Sequence, residues 1–99
     1  MKKNSSIAFQ ILALGEIEEA KLLTIVDEVI NYVKSEVEEV HVGPFETTLV
    51  GEFDHLMSVL VAAIKKASVH HNQIFSNVKI NYKAQGEVLG VEEKTSQYR

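Results

Sequence analysis

Val42-Gly43-Pro44-Phe45-Glu46-Thr47-Thr48-Leu49-Val50-Gly51-Glu52-Phe53-Asp54-His55-Leu56-Met57 passes from turn to strand to helix in one short stretch. Gly43-Pro44 reads as the turn, because proline donates no ladder hydrogen bond and glycine tolerates positive φ. Phe45 to Val50 then alternates with period two, setting Phe45, Thr47 and Leu49 against Glu46, Thr48 and Val50. Gly51 closes the strand. From Glu52 to about Val69 the apolar period lengthens to that of a helix, with Phe53, Leu56, Met57, Leu60, Val61, Ile64 and Ala67 on one stripe. His70-His71-Asn72 breaks it.

Working outward, Glu38 to Val42 reads as a short strand, and the Gly43-Pro44 connection is short enough to suit only an antiparallel return. Upstream, Glu16 to about Glu36 reads as a helix. Leu22, Leu23, Val26, Val29, Ile30, Val33 and Val37 recur at helical spacing, and Glu16, Glu18 and Glu19 suit its N-terminus. Ser6 to Leu14 is a strand whose two faces are both largely apolar, ended by Gly15. Downstream, Ile74 to Tyr82 alternates as the last strand, and Ala84 to Arg99 is a polar tail with a short extra pairing around Val88 to Val91. The order βαββαβ, with right-handed crossovers, predicts an α+β ferredoxin-like arrangement: a four-stranded antiparallel sheet with two helices on one face. Residues 1–99 form one domain in this reading. Ala8, Leu12 and Leu14 then form an apolar strip on the helix-free face, which predicts self-association through that face or the sheet edges, as a homodimer or homotetramer.

Composition narrows the function. Hydrophobic residues at 45% and charged residues at 24% describe a folded chain and not a disordered one. A net charge of −4 has the wrong sign for a nucleic-acid binder, which displaces counterions with a basic surface. With no cysteine there are no disulfides, thiolate nucleophiles or cysteine zinc sites. The N-terminal apolar run from Ile7 is short, carries Gln10 and meets Glu16, so it is a poor signal peptide, and no segment has the length of a membrane span. The expectation is a cytoplasmic protein.

Catalytic motifs are missing. Gly-x-Ser-x-Gly and Gly-rich phosphate loops are not found. Glu52 and His55 have Glu-x-x-His spacing, but a di-metal site needs that motif twice, and Glu38 with His41 would lie on opposite faces of a strand. Neither a catalytic residue nor a metal ligand is assigned, and no cofactor is expected. What remains is a set of polar residues embedded in strands: Gln10, Glu46, Thr47, Thr48, Ser76 and Asn77. By parity Gln10, Glu46, Thr48 and Asn77 share one sheet face, with Thr47 and Ser76 on the other. Such groups orient a small ligand in an apolar pocket, or satisfy strand packing and nothing more.

Several blocks together resemble the YkoF-like thiamine-binding family. They are Phe9-Gln10-Ile11, the block Gly43 to Met57, Ile74 to Tyr82, and Val91-Glu92-Glu93-Lys94-Thr95-Ser96-Gln97-Tyr98. The resemblance spans Ala8 to Tyr98 as a single-domain member. It implies non-catalytic binding of thiamine or its hydroxymethylpyrimidine moiety by a small protein that associates through its sheets. Gln10, Glu46, Thr47, Thr48, Ser76 and Asn77 would supply donors and acceptors to an aminopyrimidine, and Phe9, Phe45 and Phe75 are candidates for flat contact with its ring. The chain departs from the family pattern at the end of the first strand, where Leu12-Ala13-Leu14-Gly15 replaces a serine and a Tyr-Pro pair. Two other readings stand beside this one. One is a structural or regulatory oligomer of the same fold with no thiamine site, or with another small ligand. The other is a small ferredoxin-like enzyme, for which no acid–base set assembles.

Overall fold

In the computed structural model, residues 2–95 and 98 are described. The elements are β1 (Ser5–Ala13), α1 (Glu19–Glu36), β2 (Glu39–Val42), β3 (Thr47–Gly51), α2 (Phe53–Ser68), β4 (Ile74–Tyr82) and a short α3 (Val91–Thr95). The sheet is antiparallel with order β2-β3-β1-β4, the ferredoxin-like order that the βαββαβ pattern predicts. β1 is central and pairs with β4 from Ser5↔Tyr82 to Ala13↔Ile74. Its pairing with β3 runs only from Ser5↔Gly51 to Phe9↔Thr47.

The core lies between the sheet and the two long helices. Ile7, Phe9 and Leu49 point from the sheet into Ile25, Val29, Val33 and Val37 of the α1 side and Leu56, Val59, Leu60, Ala63 and Ala67 of α2. Ala63 and Ala67 are small, which lets α2 approach the sheet and α1 closely. The α2 N-terminus is satisfied from two directions: Asn4 Oδ1 accepts from the Phe53 amide at 2.9 Å, and the N-cap Glu52 carboxylate accepts from the Asp54 amide at 2.7 Å. Gly15, at φ 89°, turns the chain out of β1 into a left-handed conformation.

Several boundaries differ from the sequence expectation. α1 starts at Glu19 and not Glu16, because Glu18 is extended as the N-cap while Ile17 packs against the core. The buried face of α1 centres on Ile25, Val29 and Val33, and Leu23 and Val26 are exposed, because this end of the helix overhangs the sheet where β3 is absent. In α2, Val61 is exposed, and Val59 and Ala63 take the buried positions. β3 begins at Thr47. Gly43 to Glu46 form a tight turn in which the Gly43 amide donates to the Glu46 carbonyl at 3.0 Å, and Phe45 is left exposed.

The tail also differs. One backbone bond, Val88 N–H to the Lys3 carbonyl at 2.9 Å, represents the expected pairing, and the chain then forms α3 over the helix-free face. Ser96 and Gln97, part of the resembling tail block, lie outside the described residues.

Leu56 is fully buried. Leu56→Ala is expected to lower unfolding free energy by about 2–5 kcal/mol, the range for emptying a packed leucine site. Urea denaturation monitored by circular dichroism measures it, and a loss below about 1 kcal/mol would show that α2 does not carry the core.

Candidate ligand-binding site

The unequal pairing of β1 creates the site. The Asn4 carbonyl accepts from the Lys83 amide at 2.8 Å and the Leu14 amide donates to the Gln73 carbonyl at 3.1 Å, so even-numbered residues of this strand aim their backbone groups at the β4 side. Alternation aims the N–H and C=O of Ile11 and Ala13 the other way, toward the β3 side. There the ladder has ended at Phe9↔Thr47, and no described residue pairs with them. A notch is left in the sheet, bordered by the Gly43–Glu46 turn.

A cavity of about 290 Å³ opens at this notch, beneath the overhanging half of α1. This is close to the lower end of the ~300–1,000 Å³ usual for small-molecule sites. Phe9, Ile11 and Thr47 come from the sheet, Leu22, Ile25, Val26, Val29 and Ile30 from α1, Val42 from the end of β2 and Gly43 to Glu46 from the turn. The lining is mostly apolar. Thr47 is buried on the helix-facing side, and its hydroxyl has no hydrogen-bond partner among the described residues. Gly43 keeps the turn tight: a Cβ there would sit 2.8 Å from the Glu46 carbonyl oxygen.

The polar strand residues fall on the faces that parity predicts. Gln10, Thr48 and Asn77 lie on the helix-free face, through the pairs Ala8↔Thr48 and Gln10↔Asn77, while Thr47 and Ser76 face the helices opposite Phe9 and Ile11. The structure brings only some of them to the cavity. Thr47 lines it from within, and Gln10 and Glu46 line it where the notch opens to the other face. Gln10 Oε1 accepts from Asn77 Nδ2 at 3.3 Å, and Glu46 Oε1 pairs with Lys79 Nζ at 3.3 Å, so both also belong to a shallow hollow on the helix-free side with Phe45. Thr48 lies away from the cavity, under α3 with Ser6 and Ala8. The Ser76 hydroxyl is buried without a partner among the described residues. Sequence reading missed the backbone of Ile11 and Ala13, since a strand end reads the same whether or not its neighbour reaches that far. Among the described residues no group of histidines and carboxylates is placed to hold a metal. His55 instead bonds the Glu36 carbonyl at 2.6 Å and His70 pairs with Glu28 at 2.7 Å, so these histidines tie α1 to α2 and to the end of α2.

The family model described as "Thiamine-binding protein" matches residues 7–99. The chain belongs to the thiamine-binding protein family. The resemblance carried by Gly43 to Met57 is thereby borne out at family level. A UPF0045 protein of Clostridium perfringens is 33% identical over 96 residues, covering 95% of this chain and 96% of that one. A Streptococcus pneumoniae protein of known crystal structure is 40% identical, with a TM-score of 0.76 over 94% of this chain and 98% of that one. A Thermotoga maritima protein named for thiamine biosynthesis or salvage is 26% identical, with a TM-score of 0.82 over 97% of this chain and 99% of that one. No helix among the described residues of this thiamine-binding-family chain is long and apolar enough to cross a membrane.

At the far end of the helix-free face, Lys3 Nζ bonds Glu39 Oε1 at 2.9 Å and His41 Nε2 lies 3.0 Å from Glu39 Oε2. The Lys3 hydrogen bond is the main reason that Glu39 ionises below its usual 4.5, with burial opposing and His41 adding to it. The same bond raises Lys3 above its usual 10.5. A depressed carboxylate stabilises the fold above 4.5 and loses that contribution as pH falls through its lowered folded value. A raised lysine stabilises below 10.5 and loses it as pH rises through its raised folded value. The pair's contribution is therefore full between those limits and small in size, because the lysine is solvated. Denaturation midpoints across pH should fall at both ends in the wild type, and Lys3→Met should flatten both limbs. Superimposable profiles would show that the pair is not coupled to folding.

Proposed function

We propose that this protein binds thiamine or its hydroxymethylpyrimidine moiety without turning it over. The observation that carries the reading is the apolar cavity bordered by an unpaired strand edge. An aminopyrimidine presents donor and acceptor groups side by side on a flat ring. The Ile11 carbonyl and the Ala13 amide, two residues apart on the open side of β1, offer the complementary pair that a neighbouring strand would otherwise use. Thr47 adds a hydroxyl from the adjacent strand, Phe9 and the α1 side chains give the ring apolar contact, and Glu46 at the mouth favours the cationic thiazolium. Among the described residues, Glu46 is the only ionisable side chain in the lining, which favours holding a ligand over acid–base chemistry that needs paired groups. Family membership and the thiamine-related name of the Thermotoga maritima protein support the same ligand.

Isothermal titration tests it. Saturable binding of thiamine or hydroxymethylpyrimidine is expected, weakened in Thr47→Ala by about 1 kcal/mol, the usual value of a lost hydrogen bond. Thr48→Ala, one residue along but on the opposite face, should leave affinity in place. No saturation by either compound in the millimolar range, or equal losses in the two variants, would remove the reading.

A homo-oligomer formed through the helix-free face is the second part of the proposal. Among the described residues, α3 covers that face near Ser6 and Ala8, and beyond it Leu12 and Phe75 stay 37% and 48% exposed on adjacent strands. Paired apolar side chains of this size favour a protein partner over water. Sedimentation should show a dimer or tetramer that Phe75→Lys dissociates. A wild-type monomer at tens of micromolar, roughly the range where weak dimers form, would refute assembly through this face.

A further inference from the structure

We infer that the cavity selects unphosphorylated ligands: it takes the neutral aminopyrimidine or the cationic thiamine and rejects their phosphate and diphosphate esters. The inference rests on the proposed thiamine or pyrimidine binding and concerns which chemical forms that site admits. Phosphate sites are made from arginine, lysine, helix N-termini or runs of backbone amides. Among the described residues, the lining of this cavity contains no lysine, arginine or histidine, and its one charge is the carboxylate of Glu46. The nearest cation paired with that carboxylate, Lys79, rises from the helix-free face of β4 and meets Glu46 from outside the cavity.

The two other sources of positive potential are also spent. The α1 N-terminus overhangs this end of the sheet, but the carboxylates of Glu16, Glu18 and Glu19 crowd it and neutralise the positive end of its dipole. The open edge of β1 alternates N–H with C=O, so an anion bonded to the Ala13 amide faces the Ile11 carbonyl next to it. That alternation suits a pyrimidine edge and repels a phosphate. A phosphoryl group at the mouth would lose water and meet Glu46, whose cationic partner Lys79 is solvent-exposed and already paired with it, whereas the thiazolium is attracted by the same carboxylate.

Titration calorimetry with thiamine, hydroxymethylpyrimidine, thiamine monophosphate and thiamine diphosphate tests this, each at low and at raised salt. Both unphosphorylated compounds should bind, and the diphosphate should bind about tenfold or more weaker, a gap that narrows as salt screens the repulsion. Glu46→Gln should narrow it as well, by weakening thiamine and strengthening the diphosphate. The salt series needs no substitution, so it decides the matter even if that variant folds poorly. Diphosphate binding as tight as thiamine overturns the selectivity and leaves the binding reading standing. Failure of both unphosphorylated compounds overturns the binding reading, and this inference with it.

Discussion

Everything in this molecule follows from the unequal partnership of its central strand. β1 runs for 9 residues and is hydrogen-bonded to β4 along all of them, but β3 is 5 residues long and stops at Thr47. The paired half, around Ile7 and Phe9, anchors both helices and is the centre of the core. The half with one neighbour is still held straight by β4, so its free backbone groups keep a fixed direction. An open edge in a loose segment would be a fluctuating one. Here the complete ladder on the other side sets its direction, and a fixed edge is what hydrogen-bond recognition requires.

Most of this architecture is readable from period and punctuation. The change from two to 3.6 at Gly51-Glu52, and the return to two at Ile74, are strong because each element has enough residues to repeat its pattern. What could not be read is where two neighbours part company. Phe45 and Glu46 continue the alternation of β3 in sequence, yet they belong to a turn, because the Gly43 amide closes onto the Glu46 carbonyl. Leu23 and Val26 fit the helical stripe, but a stripe says only which side faces inward and not whether anything lies beneath it. α3 was equally illegible: Val91 to Thr95 is too short to show a period, and its position depends on the Lys3–Val88 contact far away in sequence.

The candidate polar residues show the same limit. Parity sorted Gln10, Thr47, Thr48, Ser76 and Asn77 into two faces, since a pleated strand leaves no choice, while Glu46 falls in the turn before β3. It could not tell that Thr47 would border a cavity while Thr48, its immediate neighbour, would sit under α3. That difference comes from the layers above and below the sheet, which are assembled from distant parts of the chain. The similar structures share the fold at 40% and 26% identity. A notch of this kind needs only strand lengths to be kept, so it tolerates wide change in the side chains around it.

The outer side of β4 has a further consequence. Its register with β1 is continuous over all 9 residues, without a bulge or a proline. Alternation therefore turns the N–H and C=O groups of Ile74, Ser76, Val78, Ile80 and Tyr82 away from the sheet. Two such edges laid antiparallel about Val78 would match group for group, with Val78 opposite its own copy and Lys79 opposite Asn77, so no like charges meet. A strand that is its own complement is a template during synthesis as well as in the finished fold. Nascent chains of this sequence at high concentration carry an intrinsic aggregation hazard there, and Lys79 is the one charged gatekeeper along the strand.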